Sequence, residues 1–311
     1  MRLGLLRLTI GAAVAPGRDA GRPRGFALLV LAAASWGIGT VLSKRAVAEL
    51  PPITLLAAQL WISVAVLGLL AAWRRTRLSV DRRLALLGAL NPGLAYALSL
   101  VGLTTIGASV SVLIWAIEPI LILLLAAAVL REHPDRQTVV LSGVAFGGLV
   151  IVLAQPDARI AAAGVAATVA GVACCAVYSV AARRWIPDAP STLAVVLAQQ
   201  AIAAVLVIVV LLVAVIISAV PSANLTGAGI ASVVASGVLY YGAAYLLYLS
   251  ALRHLPVAVA AIGFYLVPVF GVAVAVAAGE SLSAIQWSGA VITVAAVIAV
   301  GTIEIRRGET T

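Results

Sequence analysis

Long apolar runs separated by short polar breaks dominate the sequence. Ten of these runs are long enough for a helix to cross about 30 Å of hydrocarbon, which takes roughly 20 residues. The breaks between them contain prolines, glycines and adjacent charges, which helix interiors avoid. The predicted spans are residues 26–43, 53–73, 84–103, 107–130, 139–154, 161–182, 191–219, 228–251, 256–278 and 284–303. The pattern therefore predicts an all-α integral membrane protein with ten transmembrane helices.

The chain contains an internal duplication. Residues 91–129 align without a gap on residues 240–278, at an offset of 149. A duplicated half with an odd number of spans inserts its second copy upside down. We therefore predict two inverted five-helix repeats, at 26–154 and 161–303, with tails at 1–25 and 304–311. The alignment pairs Tyr96 with Tyr245, Trp115 with Phe264 and Pro119 with Pro268.

Composition and charge agree with a membrane location. The chain is 64% hydrophobic and 10% charged, whereas soluble domains carry roughly 25% charged residues. The net charge of +9 does not indicate nucleic acid, because the basic residues stand in short clusters between apolar runs. With the N-terminus inside, 17 of the 20 lysines and arginines fall on the cytoplasmic side, as retention of positive charge predicts. We expect a multi-pass protein of the inner cell membrane with both termini cytoplasmic.

The N-terminal 25 residues predict a cytoplasmic tail rather than a cleaved signal peptide. Arg7 interrupts the short apolar segment at the start, and Arg18, Arg22 and Arg24 follow it directly, whereas a signal peptide has an uninterrupted apolar core. Whether Met1 is the true start is open.

Glu118 is the acidic residue that the pattern places at mid-depth in a span. An ionised carboxylate there costs about 2.5–3.5 kcal/mol on insertion scales. One interpretation is that Glu118 faces a cavity and alternately holds a proton or a cationic substrate. The other is that it stays protonated and bonds backbone freed by Pro119, which lacks an N–H. Because Glu118 aligns with Val267, only one repeat carries the acid.

Aromatic and polar side chains predict the walls of a cavity around Glu118. Tyr241, Tyr245 and Tyr248 share one helical face, and their hydroxyls need partners inside the bundle. An aromatic box beside a carboxylate suits an amine through cation–π attraction. The predicted substrate-binding residues are Glu118, Trp115, Trp36, Tyr96, Asn91, Gln59, Tyr241, Tyr245, Phe264 and Tyr265, with Ser111 on the face of Trp115.

Glycine and proline positions predict details of the helices. Gly143, Gly147 and Gly148 in the fifth span predict close packing against another helix. Pro119 and Pro268 predict kinks in the fourth and ninth spans, because proline removes a helical hydrogen bond.

Several motifs resemble the EamA-like family of the drug/metabolite transporter superfamily. They are Ser35-Trp36-Gly37 with Lys44-Arg45 beyond it, the pair Pro119 and Pro268, and Arg131-Glu132 and Gly279-Glu280 at the ends of the fourth and ninth spans. The resemblance implies a ten-span inverted-repeat fold and movement of small metabolites through a central cavity, in many members coupled to protons or to exchange. The chain departs from the family at Cys175, where an aromatic matching Trp36 is common, and at Gln59, where a basic residue is common. The missing positive charge argues against phosphorylated or strongly anionic substrates.

We therefore predict a secondary active transporter, an exporter of small organic metabolites or amines in which two five-span halves rock around Glu118 as the proton-coupling residue. An uncoupled exchanger or facilitator of amino acids or other metabolites, and a transport-inactive regulator of the same fold, remain open alternatives. An enzyme is disfavoured because His133 and His254 fall in loops and no paired acids occur at membrane depth. The predicted partners are a small-molecule substrate, protons and membrane lipids, without nucleic acid, metal or cofactor. The substrate, the transport direction and the choice between monomer and homodimer are open.

Overall fold

The computed structural model describes residues 21–103, 105–106, 114–115, 117–131, 134–153, 161–217, 225–277 and 283–309. These residues form helices and turns without a strand, so the all-α prediction is confirmed. Of the predicted tail, residues 1–25, the part before residue 21 lies outside them, whereas residues 22–25 already belong to the first helix. We number the helices α1 (Arg22–Ala46), α2 (Pro52–Trp73), α3 (Arg82–Gly88, Ala89–Leu94 and Ala95–Leu103), α4 (Glu118–Leu125 and Ala126–Leu130), α5 (Arg136–Leu153), α6 (Ala162–Trp185), α7 (Thr192–Ile217), α8 (Gly227–Ser236, Gly237–Ala243 and Ala244–Ala251), α9 (Val257–Ile262, Gly263–Tyr265 and Leu266–Ala277) and α10 (Ala284–Glu309).

Helices of membrane-spanning length and composition account for six of the ten predicted spans. These are α1, α2, α6, α7, α8 and α10. The described parts of α4, α5 and α9 are apolar but shorter, and α3 is built from three consecutive segments. The number ten therefore stays a prediction, while the helical membrane architecture is clear.

The helices of the two halves interlock instead of forming two separate bundles. α1 packs against α8 and α9 of the second half, and α6 packs in the equivalent way against α3 and α4 of the first half. Across the same boundary, α2 packs on α7 and α5 packs on α10. Exchanging the halves maps these contacts onto one another, as a pseudo-twofold axis requires. The first helix of each half thus packs against helices of the other half.

α1 and α8 lie antiparallel. At one end, the side chain of His254, just after α8, covers Gly21 and Gly25 at the start of α1. At the other end, Glu49, just after α1, binds Thr226, the N-cap of α8. The Glu49 Oε2 atom accepts the Thr226 N–H at 2.7 Å, and Oε1 accepts its hydroxyl at 2.9 Å. These contacts fix both ends of the pair.

α3 begins on the face of the molecule where α8 ends. In the first turn of α3, the carbonyl of Leu84 accepts a hydrogen bond from Gln199 Nε2 of α7 at 2.8 Å. The start of α7, at Thr192, lines one cavity with Ser250 at the end of α8. The repeat-equivalent helices α3 and α8 therefore run in opposite directions, as inverted repeats require.

Helices α3 and α8 are interrupted at equivalent positions. A kinked turn occupies Ala89–Leu94 of α3, a wider, π-helical turn occupies Gly237–Ala243 of α8, and the repeat offset places the two on one another. Within the first turn, Asn91 has an extended backbone with φ −145° and ψ 121°, because the residue before a proline is kept out of the α region. The duplication has thus preserved a break in the helix as well as its apolar face.

The second pair of interruptions lies next to the repeat-equivalent prolines. A tight helical turn at Gly263–Tyr265 interrupts α9 three residues before Pro268. The residues equivalent to this turn precede the first residue of α4, Glu118, so Pro119 stands in the first turn of that helix. Proline is tolerated there because the first N–H groups of a helix have no intrahelical acceptor.

The close contact between α5 and α10 uses only one of the three predicted glycines. A Cβ atom added at Gly148 would lie 2.7 Å from the carbonyl oxygen of Gly289 and 2.5 Å from Oγ1 of Thr293. Gly143 and Gly147 are exposed, and nothing lies within 4 Å of an added Cβ. The prediction was wrong for these two glycines, because the buried face of α5 runs instead through Ser142, Ala145 and Leu149.

Gly148→Leu is expected to destabilise the protein while Gly147→Leu leaves stability nearly unchanged. The larger residue at 148 must push the Gly289 backbone away, and such overpacking costs about 1–3 kcal/mol. Thermal unfolding in one detergent measures both variants. Equal unfolding temperatures would show that α5 and α10 are not in close contact.

Candidate functional site

Nine aromatic rings form one continuous cluster where α1, α3, α4, α6, α8 and α9 meet. Neighbouring ring centroids are 4.9 to 6.4 Å apart, which is the range of favourable aromatic pairs. The rings are those of Trp36, Tyr96, Trp115, Tyr178, Tyr240, Tyr241, Tyr245, Tyr248 and Phe264. We call this set the ring cluster.

Two equivalent hydrogen bonds join the halves within the ring cluster. The hydroxyls of Tyr96 and Tyr240 lie 3.0 Å apart, and the Tyr245 hydroxyl donates to Oδ1 of Asn91 at 2.8 Å. The repeat offset maps Tyr96 onto Tyr245 and Asn91 onto Tyr240. One bond is therefore the symmetry mate of the other, and both depend on the interrupted turns of α3 and α8.

Glu118 borders the ring cluster from α4. Its side chain is only 9% exposed, and it lies close enough to Cys175, Tyr240 and Tyr248 for electrostatic interaction. Within the described chain, no ion pair or hydrogen bond to its carboxylate is formed. Glu118 is also the first residue of a helix, where the helix dipole favours a negative charge by about 0.3–1 kcal/mol. This offsets only part of the cost of a buried carboxylate, so a proton or a cation is needed for the rest.

Cys175 makes the two sides of the site unequal. Trp36 on α1 contacts Tyr245, Tyr248 and Phe264, with centroid distances of 5.4 to 5.6 Å. Its counterpart on α6 is Cys175, a buried free thiol with a far smaller side chain. The wall beside Glu118 therefore lacks the large ring that fills the opposite wall.

Two predicted site residues lie apart from the ring cluster. Gln59 Nε2 donates to the hydroxyls of Ser43 at 2.8 Å and Ser236 at 2.7 Å, so it ties α2 to α1 and α8. The Tyr265 hydroxyl lies 3.3 Å from that of Ser142 on α5. Both side chains have structural partners here. The prediction for Ser111 falls outside the described residues.

The structure brings further residues to the site. Tyr178 of α6 contacts Tyr245, with ring centroids 6.3 Å apart, and its hydroxyl donates to Oε1 of Gln199 at 2.9 Å. Tyr240 was detectable as the repeat partner of Asn91. Tyr178 was harder to predict from the sequence. It lies three residues after Cys175, outside the two aligned segments 91–129 and 240–278, so the alignment offers no aromatic partner for it.

The fold and the ring cluster define an inverted-repeat membrane protein with a buried site shared between its halves. The EamA-like transporter family matches the chain twice, at residues 23–154 and 162–302. The chain therefore belongs to this family of membrane transporters, and it is a multi-pass membrane protein. The predicted resemblance is confirmed.

A solved crystal structure resembles most of the chain. It covers 93% of this chain and 100% of its own, with a TM-score of 0.78 and 22% sequence identity. At that identity the likeness shows the fold alone. Comparison with curated proteins gives no significant match.

Tyr245→Phe is expected to destabilise the protein by about 1–3 kcal/mol, because it leaves the buried Oδ1 atom of Asn91 without its donor. Tyr96→Phe, the repeat-equivalent change, is the matched control. Tyr240, the partner of Tyr96, is less buried than Asn91, so a smaller loss of stability is expected. Unfolding temperatures in detergent compare the two variants, and an equal or larger loss for Tyr96→Phe would contradict this account.

Proposed function

We propose that the protein is a secondary active transporter that exports small organic amines or related metabolites in exchange for protons. It spans the inner cell membrane ten times with both termini in the cytoplasm. The observation that carries this proposal is one buried carboxylate, Glu118, placed beside a ring cluster to which both halves contribute. Intramembrane acids in such positions are characteristic of proton and cation pathways.

The chemistry of the site suits a cation with an apolar body. Tyrosine and tryptophan faces attract an ammonium group by about 0.5–2 kcal/mol when it is desolvated, and the Glu118 carboxylate supplies the opposite charge. The neutral amide of Asn91 supplies a further polar contact at the edge of the cluster. An anionic substrate would meet the carboxylate without a compensating positive charge.

The helix contacts identify the bodies that we expect to move. α1, α8 and α9 form one unit and α3, α4 and α6 form the other, so each moving body contains helices of both repeats. The rings of Trp36 and Phe264 belong to the first unit, whereas Tyr96 and Glu118 belong to the second. Rocking of these units, rather than of the two sequence halves, would open the site alternately to each side.

A single carboxylate explains how substrate and proton movement are coupled. Glu118 can be neutralised by a proton or by an ammonium group, and the two compete for the same oxygen atoms. Release of the amine on the outside leaves a charge whose burial is costly. A proton taken up there permits the return to the inward-facing state, which gives exchange in opposite directions.

Glu118→Gln is expected to abolish substrate-evoked proton movement, with a decrease of tenfold or more, because the amide cannot exchange a proton. The protein is reconstituted in liposomes that contain a pH-sensitive dye. Cationic amines and zwitterionic amino acids are then added as two substrate classes. If the wild type moved substrate without moving protons, the uncoupled facilitator would be favoured instead.

Asp188→Asn is the matched control for charge removal, because Asp188 is exposed and lies between α6 and α7. It should retain wild-type proton movement. Equal proton movement in Glu118→Gln and wild type would refute coupling through Glu118.

Cys175→Trp is expected to reduce transport tenfold or more, because a large ring beside Glu118 would occupy the proposed substrate site. Cys174→Trp changes the neighbouring, more exposed residue and should leave transport within about twofold. Amine uptake into the same liposomes measures both. A block by the substitution at 174 alone would place the substrate elsewhere.

A further inference from the structure

A cavity opens at the end of the molecule where α2 and α8 end and where α1 and α7 begin. Its volume is about 450 Å³, and it lies apart from the ring cluster. One guanidinium group, several hydroxyls and several leucine side chains line it. Its lining includes Arg74, Thr76, Ser191, Thr192, Leu28 and Leu246.

Ser191 and Thr192 at the start of α7 line the polar half of this cavity and carry hydrogen-bond donors. The Ser191 Oγ atom accepts the N–H of Ala194 at 3.2 Å, so its own proton remains free to donate. The N–H groups of Thr192 and Leu193 precede the first intrahelical hydrogen bond of α7, which Val195 makes to the carbonyl of Ser191. The first-turn N–H groups of a helix favour an anion.

Arg74 supplies the fixed positive charge. It is the C-cap of α2, and its N–H bonds the carbonyl of Leu70, which holds its backbone in helical geometry. The next turn is closed by the N–H of Thr76, which donates to the Ala71 carbonyl at 2.8 Å. A planar guanidinium beside hydroxyl donors is the arrangement that proteins use for phosphate oxygens.

The apolar half of the cavity favours a phosphate carried by a lipid over a soluble phosphate ester. Leu28 of α1 and Leu246 of α8 are only half-buried, although they line the same space as Arg74. A soluble phosphate ester would leave these side chains against water, whereas a lipid would cover them with its acyl chains. The cavity also lies at the end of a membrane-spanning helix, where lipid head groups are found.

We propose that this cavity binds the phosphate head group of an anionic phospholipid, with its acyl chains along the leucine side chains. The site joins α1 and α2 of the first repeat to α7 and α8 of the second. A lipid bound there therefore contacts both halves of the protein. Basic pockets between transmembrane helices on the cytoplasmic side favour such head groups.

The test measures binding of a fluorescent phosphatidylglycerol to the purified full-length protein in a neutral detergent. Arg74→Gln is expected to weaken binding about fivefold, the contribution of one arginine near a membrane surface. Arg74→Lys should retain most of the affinity, and Thr76→Val should lose about twofold. Arg77→Gln is the matched control, because it removes the same charge from an adjacent residue outside the cavity lining and should bind as the wild type does.

Competition identifies the source of the phosphate. Unlabelled phosphatidylglycerol should displace the probe, whereas phosphatidylcholine, glycerol phosphate and inorganic phosphate should not at equal concentration. Displacement by glycerol phosphate as effective as that by phosphatidylglycerol would overturn the lipid assignment. Equal weakening by Arg74→Gln and Arg77→Gln would reduce the effect to non-specific charge and would also overturn it. Thermal unfolding in phosphatidylcholine confirms that each variant is folded before it is scored.

Discussion

Inside a bilayer, backbone N–H and C=O groups have no water to bind, so a helix can be interrupted only where protein replaces the lost partners. This constraint applies to the interrupted turns of α3 and α8. The turn of α3 packs on α7 and the turn of α8 packs on α2, each across the boundary between the halves. From α7, Gln200 Nε2 donates to the carbonyl of Tyr241 in the turn of α8 at 2.9 Å, and Oδ1 of Asn91 in the turn of α3 accepts the hydroxyl of Tyr245. A polar, irregular centre is thus a consequence of satisfying the backbone, and it is where the proposed substrate would bind.

The duplication would by itself give two equal walls around this centre, and particular side chains remove that equality. Glu118 has Val267 as its partner in the alignment, and Cys175 stands on α6 where an aromatic residue matching Trp36 of α1 is common in the family. Both differences act on the same wall, because Glu118 lies close to Cys175. The charged side of the site is therefore also the side without a tryptophan. In the proposed function, this inequality would let a substrate with one positive charge and a bulky apolar body bind in one orientation, whereas a symmetric site would accept it in two.

The sequence predicted the fold further than it predicted the site. Apolar runs predicted the helices, because these follow from local composition, and the offset between Asn91 and Tyr240 predicted their inversion, because a duplicated half with an odd number of spans inserts upside down. Gln59 and Tyr265 show the limit of that reasoning, since membrane depth alone could not separate them from the ring cluster. Their partners, Ser236 and Ser142, come from distant parts of the chain. Gly143 and Gly147 failed for a related reason, because a stripe of small residues does not say which side of its helix meets a neighbour.

The helix contacts are of two kinds, which differ in how readily they could rearrange. Within each of the two proposed units, helix backbones touch. A Cβ added at Gly37 of α1 would lie 2.6 Å from the Val267 carbonyl oxygen of α9, and a Cβ added at Gly171 of α6 would lie 2.7 Å from the Ala95 carbonyl oxygen of α3. Such contacts leave no room for rearrangement. Between the units, rings and hydroxyls meet in the pair Tyr96 and Tyr240, whereas Val257–Ile262 of α9 packs on Glu118–Leu125 of α4. Rings can change partners through rotamer changes at modest cost. The proposed alternating-access movement would therefore break side-chain contacts in the ring cluster and would also have to shift α9 against α4.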